Sequence, residues 1–150
     1  MSALAIGLLK KGCSVSGSDL VKNDETKKLE ELGAVIFTSQ IRQNIEFVIS
    51  KFTNKLINFV VSSAIKPENK EFSYCREKNL SIKHRSEILA MLMRTYTALA
   101  VAGSHGKTST STFLSTILEL CTHNSSSITG GIIPISVSYT HLTLPTSPKV

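Results

Sequence analysis

Residues 100–110, Ala-Val-Ala-Gly-Ser-His-Gly-Lys-Thr-Ser-Thr, combine glycines, a lysine and hydroxyl side chains in an order that suits phosphate binding. The apolar start predicts a buried strand, and the Lys-Thr pair predicts the first turn of a helix. N–H groups at a helix N-terminus lack intrahelical acceptors, and the helix dipole adds positive potential there. A lysine in such a turn reaches the outer phosphates of a nucleotide, and the following hydroxyl ligates Mg²⁺. The stretch therefore predicts a site for a nucleoside triphosphate.

The loop departs from the general phosphate-binding pattern G-x-x-x-x-G-K-[ST] at its first position. Val101 stands there in place of glycine, which leaves the shorter string Gly103-x-x-Gly106-Lys107-Thr108. The alternative interpretation is a glycine turn before a capped helix, with Lys107 merely exposed. The apolar segment before the loop and the long helix predicted after it favour phosphate binding.

Short apolar runs alternate with helical patterns along the rest of the chain, which predicts an α/β fold with a mainly parallel sheet. Gly12 and Gly33 are natural helix stops, and Pro67 suits the first turn of a helix. A break near residues 94–97 separates two units, with a single sheet as the alternative. The spacing predicts helices over residues 2–11, 24–32, 68–78, 86–94 and 108–120, and strands over 14–18, 34–37, 45–49, 56–61, 80–83 and 97–102.

Polar side chains follow several of these predicted strands, and ligands of parallel sheets bind beyond the carboxyl ends of the strands. For each there is a structural alternative: Asp19 caps the next helix, the two serines form a turn, and His84-Arg85 is a surface pair. Glu87 is expected to serve the N-terminus of its helix. The candidates, which lie at ligand-facing edges of two different sheets, are Asp19, Ser62, Ser63, His84, Arg85 and residues 103–108.

The composition narrows the class of protein that this chain belongs to. The net charge is +6, yet the seventeen basic residues are scattered, so we predict no nucleic-acid partner. Cys13, Cys75 and Cys121 are odd in number and lack metal-ligand spacing, which predicts reduced thiols in the cytoplasm. The apolar N-terminal run is too short to cross a bilayer and its lysines follow it, so we predict neither a signal peptide nor a membrane helix.

The string at residues 102–110 resembles the ATP-binding loop of the Mur ligases, which usually reads G-T-x-G-K-T. His105 makes it similar to the branch that adds L-alanine to UDP-N-acetylmuramate. Ser104 in place of the usual threonine keeps the hydroxyl, whereas residues 50–55 look inserted. The resemblance covers residues 1–135, and the further matching segments occur in family order at residues 1–5, 15–19, 60–66 and 84–89.

The resemblance implies a Rossmann-like UDP-binding domain over residues 1–94, missing its first strand, and the start of a P-loop ATPase domain over 95–135. Residues 136–150 do not continue the earlier pattern and resemble the translation of a transposon-end sequencing adapter, so we predict a non-native tail. A genuine β-hairpin is the alternative there. We therefore expect a fragment of a longer ligase, truncated at both ends.

The resemblance further implies an ATP-dependent amide ligase of peptidoglycan synthesis, and hence of cell wall biogenesis, cell shape and cell division. ATP converts the carboxylate of UDP-N-acetylmuramate to an acyl phosphate, which the amine of L-alanine attacks. Lys107 is the implied catalytic residue at the β- and γ-phosphates, and Thr108 the implied Mg²⁺ ligand; His105 either lines the loop or faces solvent. The implied ATP-binding residues are Gly103, Ser104, His105, Gly106, Lys107, Thr108 and Ser109, and the implied UDP-sugar-binding residues are Asp19, Ser62, Ser63, His84 and Arg85.

Three other interpretations remain open at this point. The chain could be part of another Mur-type or folate-type ligase, which His105 and the His84-Arg85 pair disfavour. It could be a small stand-alone P-loop kinase or GTPase, although that needs a full glycine loop and a nearby acidic metal site. It could also act only as a binding module. Because the family's metal carboxylates and alanine-binding groups are expected outside this chain, we predict that the fragment itself is inactive.

Overall fold

A computed structural model describes residues 1–53, 55–122, 127–129 and 141–143. Helices and strands alternate through most of this range, as expected for an α/β protein. The helices are α1 (Ser2–Lys10), α2 (Asp24–Glu31), α3 (Arg42–Lys51), α4 (Lys70–Glu77), α5 (Arg85–Met93) and α6 (Lys107–Thr122). The strands are β1 (Ser16–Ser18), β2 (Val35–Phe37), β3 (Phe59–Val61), β4 (Ile82–His84), β5 (Ser127–Thr129) and β6 (His141–Thr143).

The described strands pair in parallel, as predicted, and each sheet contains two of them. Strand β1 lies beside β2 with Ser16 opposite Val35, and β3 lies beside β4 with Phe59 opposite Ile82. Strand β5 lies beside β6. Since a helix joins β1 to β2 and another joins β3 to β4, both pairs are βαβ units, the form in which parallel neighbours are usually connected.

Helix ends follow the local sequence closely. Gly12 and Gly33 follow α1 and α2 with φ angles of +78° and +92°, a left-handed conformation that glycine adopts without a steric penalty. In the second case the N–H of Ala34 donates to the carbonyl of Leu29 at 2.9 Å, which satisfies one of the last helix acceptors. The predicted stops of both helices are confirmed.

The prediction of a strand over residues 45–49 is wrong, because these residues lie within α3. Asn44 and Val48 are buried and Ile45 and Ile49 are half-buried, so one face of the helix is covered at the spacing i, i+1, i+4, i+5. Five residues are too few to separate a strand period from a helical period. Residues 50 and 51, the first of the polar stretch at 50–55, lie inside the last turn of α3.

The segment over residues 97–102 is not a strand, which corrects a second prediction. Leu99 is 62% exposed, and among the described residues no strand pairs with this segment. Apolar β-prone residues form a strand only where a neighbouring strand accepts their backbone hydrogen bonds. Just before this segment, the Lys11 ammonium lies 4.3 Å from the centre of the Tyr96 ring and contacts the chain where it leaves α5.

Pro67 does not lie in the first turn of a helix, as was predicted. Asn69 is the N-cap of α4, so this helix begins two residues later than the predicted start at residue 68.

The main apolar cluster lies where α1 crosses α2 and β2. Ala3, Ile6, Leu29 and Ala34 are buried there, with half-buried residues such as Ile36 packed around them. An open cavity of about 1130 Å³ adjoins this cluster, and its walls include residues 13–19 at β1 and residues 55–62 at β3. In the described part of the chain β1 pairs with β2 alone and β3 with β4 alone, so the cavity lies between two unpaired strand edges.

The segment over residues 136–150 is described only at β6; its other residues, 136–140 and 144–150, lie outside the described structure. Its prediction as a non-native tail, and the division at residues 94 and 135, stay predictions. Within the described ranges, no helix has the length and apolar character that crossing a membrane requires.

Candidate functional site

The loop at residues 103–108 folds back on its own lysine. The Lys107 ammonium donates hydrogen bonds to the carbonyl of Gly103 and, at 3.0 Å, to the carbonyl of Ser104. These two bonds hold the ammonium across the opening of the loop instead of extending it away into solvent. Residues 102–107 are all exposed, so the positive charge is accessible to a ligand. Lys107 is therefore held by its own loop and does not extend freely into solvent.

Backbone donors lie beside that charge. Gly106 immediately precedes α6 and has a φ of +74°, which a residue with a Cβ rarely adopts. The N–H of Thr110 donates to the carbonyl of Gly106 at 2.9 Å, which is the first hydrogen bond of the α6 ladder. The N–H groups of residues 107–109 precede this bond, so they point out of the helix N-terminus without an acceptor in α6. A helix of this length adds its dipole at the same place. An anion would meet N–H groups and an ammonium together.

Hydroxyl groups in the first turn have different partners. The Ser111 hydroxyl donates to the carbonyl of Lys107 at 2.7 Å and is committed to the helix. Within the described residues, no hydrogen bond engages the side chain of Thr108 or Ser109, so the Thr108 hydroxyl is available as a Mg²⁺ ligand. The described residues contain no cluster of three or more His, Cys, Asp or Glu side chains that could hold a metal alone. The loop thus fits Mg²⁺ brought with a nucleotide.

Asp19 lies directly beyond the end of β1, and it does not cap α2. Its Oδ1 accepts a hydrogen bond from the N–H of Val21 at 3.1 Å and closes a turn. Asn23 caps the helix: its side chain accepts from the N–H of Thr26 at 2.9 Å, and the Thr26 hydroxyl accepts from the N–H of Asn23. The alternative interpretation of Asp19 as a helix cap is therefore wrong, and its carboxylate stays exposed at the strand end.

The candidates after β3 and β4 also have local roles. Ser62 and Ser63 begin a turn in which the carbonyl of Ser62 accepts from the N–H of Ile65 at 3.1 Å. His84 is the N-cap of α5, where its Nδ1 accepts from the N–H of Ser86 at 3.3 Å. Glu87 completes this capping box by accepting the N–H of His84 at 2.7 Å, which confirms its expected role at the helix terminus.

The charges of Asp19 and Arg85 both affect the amine of Met1, which precedes α1. The pKa of this amine is lowered by burial, then by the positive charge of Arg85, against the opposing effects of Glu25 and Asp19. Asp19 follows β1 and Arg85 follows β4, so the two residues belong to different sheets.

Glu71 is a polar residue at this edge that the sequence analysis missed. Its carboxylate accepts hydrogen bonds from Ser18 at the end of β1 and from Asn44 on α3. These partners lie 53 and 27 residues away along the chain, so no local pattern could indicate them. Asp19 and Ser62 both line the cavity between β1 and β3, whereas none of residues 103–108 belongs to its described lining. The structure thus contains two separate candidate regions.

Comparisons with known proteins identify the family of this chain. The family model for the Mur ligase family, catalytic domain, matches residues 1–97, which ends before the loop at residues 103–108. A solved murein peptide ligase from Psychrobacter arcticus 273-4 superposes with a TM-score of 0.78 over 100% of this chain and 32% of that chain. At 21% sequence identity this likeness supports the α/β fold alone.

Several curated relatives carry the name UDP-N-acetylmuramate--L-alanine ligase, and three of them are described below. The protein from Prochlorococcus marinus subsp. pastoris (strain MED4) is 69% identical over 95% of this chain, which is 30% of the relative's length. That from Prochlorococcus marinus (strain NATL1A) is 47% identical over 90% of this chain and 27% of its own length. The Roseobacter denitrificans protein is 44% identical over 89% of this chain and 27% of its own. The chain spans less than a third of these relatives, and the match of the family model to its first 97 residues shows that it belongs to the Mur ligase family.

Proposed function

We propose that this chain is the nucleotide-binding portion of a ligase that joins L-alanine to UDP-N-acetylmuramate with ATP in the cytoplasm. In this proposal residues 1–94 form a Rossmann-like UDP-sugar-binding domain, and residues 95–135 begin a P-loop ATPase domain. The folded-back Lys107 at the N-terminus of α6 is the observation that carries it. The names of relatives up to 69% identical supply the substrates.

The ATP end of the proposal rests on charge and backbone geometry. The Lys107 ammonium neutralises the β- and γ-phosphates, and the free N–H groups at the start of α6 bind phosphate oxygens. Thr108 ligates Mg²⁺, and Gly103, Ser104, His105 and Ser109 complete the loop around the phosphates. Because the attack of an amine on a carboxylate anion needs an activated acyl group, ATP supplies the leaving phosphate, and the loop positions its γ-phosphate.

The UDP-sugar end rests on the position of Asp19 and Arg85 at strand ends. Asp19 directly follows β1, and its carboxylate is exposed and does not cap α2, so it is available to a ribose. Arg85 directly follows β4 and supplies a positive charge that suits a diphosphate. Ser62 lines the cavity, and Ser63 and His84 lie near the ends of β3 and β4 as further contacts for the sugar.

Nucleotide binding by Lys107 variants tests the ATP end. We expect Mg-ATP to raise the unfolding temperature of the chain and to bind with a Kd that calorimetry can measure. Lys107→Ala removes a charge-assisted contact, so it should weaken Mg-ATP binding by about tenfold or more. UDP affinity should not change, because Lys107 lies outside the cavity lining.

Lys83→Ala is the control, since Lys83 is a half-buried lysine that lies on β4, outside the loop. It should leave Mg-ATP binding unchanged. Equal Mg-ATP affinity in Lys107→Ala and in the unchanged chain would contradict the proposal that this loop binds phosphate. A response to Mg-ATP with none to UDP or UDP-N-acetylmuramate would favour the stand-alone nucleotide-binding module instead.

A further inference from the structure

One carboxylate joins three elements at the edge where Asp19 lies. Glu71, near the start of α4, accepts a hydrogen bond from the Ser18 hydroxyl at 2.5 Å through Oε2. Through Oε1 it accepts from the Asn44 amide at 2.7 Å. Asn44 is 6% exposed, and its amide also donates to the carbonyl of Ser39 at 2.6 Å. The end of β1, the connection after β2 and the start of α4 are therefore tied to one another.

The N-terminus of α4 is fixed at the same time. The Asn69 side chain accepts from the N–H groups of Glu71 and Phe72 at 3.0 and 3.1 Å. Its amide donates to the Gln40 side chain at 2.7 Å, which adds a second link to the connection after β2. Because α4 follows β3 and Ser18 belongs to β1, this network bridges the two βαβ units.

The network determines the position of Asp19 through its neighbour Ser18. The N–H of Asp19 donates to the carbonyl of Phe37 at 2.9 Å, so the backbone of Asp19 is held by β2 while Ser18 is held by α4. Both oxygens of Glu71 already accept hydrogen bonds from protein donors. Glu71 thus has a geometry for holding Ser18 and Asn44 at the same time.

We propose that Glu71 is a positioning residue for nucleotide-sugar binding. By holding Ser18 against α4, it keeps the Asp19 carboxylate where it accepts hydrogen bonds from a ribose. This inference rests on the proposed UDP-sugar site, which sequence patterns assigned to strand-end residues without any role for α4. Loss of the carboxylate leaves Ser18 and the buried Asn44 amide without their acceptor, and the loop after β1 loses its anchor to α4.

Two substitutions at Glu71 separate positioning from charge. Glu71→Gln keeps an acceptor for Asn44, and its amide donates to the Ser18 hydroxyl, which rotates to accept; both links survive without the charge. Glu71→Ala removes both links. We expect calorimetry with UDP to show about tenfold weaker binding for Glu71→Ala and a change below about twofold for Glu71→Gln. Equal losses in the two variants would overturn positioning by hydrogen bonds.

A ligand-free measurement distinguishes this inference from the proposed function. Hydrogen exchange at the Asp19 and Val21 amides should accelerate about tenfold in Glu71→Ala, while amides within α2 keep their rates. Ser18→Ala should reproduce part of this effect, and Ser16→Ala, two residues earlier on β1, is the matched control without it. If UDP binds neither the unchanged chain nor any variant, the proposed UDP-sugar site is wrong. The hydrogen-exchange rates at Asp19 and Val21 still test whether Glu71 holds the loop after β1. Unchanged exchange in Ser18→Ala overturns the inference even where Glu71→Ala does not fold.

Discussion

At the scale of single residues, burial sets which side chains are chemically available. Cys75 on α4 is 4% exposed, and desolvation, followed by the negative charge of Glu71, raises its thiol pKa to about 11. Cys13 and Cys121 are exposed free thiols. Because the thiolate is the reacting form, Cys75 should react much more slowly than Cys13 and Cys121.

Alkylation with iodoacetamide at pH 8 checks this difference. We expect rapid modification of Cys13 and Cys121 and slow modification of Cys75, whose thiolate fraction at that pH is about 10⁻³. Peptide mass spectrometry after timed quenching gives the rate at each site. Denaturant should bring Cys75 to the rate of the others, and a native rate equal to theirs would contradict its burial.

At the scale of elements, polar side chains decide where helices begin. Asn23, Asn69 and His84 cap α2, α4 and α5, and two of these caps are full capping boxes. Each cap satisfies N–H groups that the helix leaves without acceptors. Asn23 and Asn69 lie between a β-strand and the helix that follows it, and His84 is both the last residue of β4 and the N-cap of α5. The caps therefore also fix the chain where it leaves these strands.

The assignment of the α2 cap to Asn23 gives a paired prediction for stability. Asn23→Ala should lower the free energy of unfolding by about 1 kcal/mol, since it removes the acceptor of the capping box. Asp19→Ala should change it much less, because Asp19 bonds only within its own turn. Urea unfolding of the two variants measures the difference, with Asn23→Ser as a conservative control that keeps an acceptor. A larger loss of unfolding free energy in Asp19→Ala than in Asn23→Ala would show that Asp19 caps α2.

At the scale of the whole molecule, much apolar surface remains uncovered. On α6, Phe113, Ile117 and Leu120 form an exposed stripe at helical spacing. The unpaired segment at residues 97–102 is also apolar and exposed. The candidate ATP loop lies between these two surfaces, in a chain that spans 30% of its 69% identical relative.

We predict that the 150-residue chain does not form the amide bond unaided, because it spans only 30% of the length of its 69% identical relative. Purified chain incubated with Mg-ATP, UDP-N-acetylmuramate and L-alanine should release phosphate at the rate of a no-enzyme blank. The full-length relative from Prochlorococcus marinus is the positive control. Measurable ligation by the 150-residue chain would contradict the prediction.

The comparison of sequence with structure separates local from long-range information. Gly12 and Gly33 end helices through their own backbone conformation, so a short window suffices to predict them. The local pattern predicted strands at residues 45–49 and 97–102, and both predictions are wrong. The conformation of these residues depends on which elements lie beside them, which a short window does not contain. The loop at residues 103–108 could be proposed as a phosphate site because its glycines and lysine lie close together in the sequence. The contacts of Glu71 were not, since the fold alone brings Ser18 and Asn44 to it.

The open cavity between β1 and β3 has a consequence for how the molecule responds to denaturant. Its walls include apolar side chains, such as Ile57 and Phe59, that already meet water in the folded chain. Unfolding therefore exposes less new surface than in a closed α/β domain of equal length. Since both the denaturant m-value and the heat-capacity increment scale with newly exposed surface, both are smaller than chain length alone implies. The stability curve is correspondingly flat with temperature.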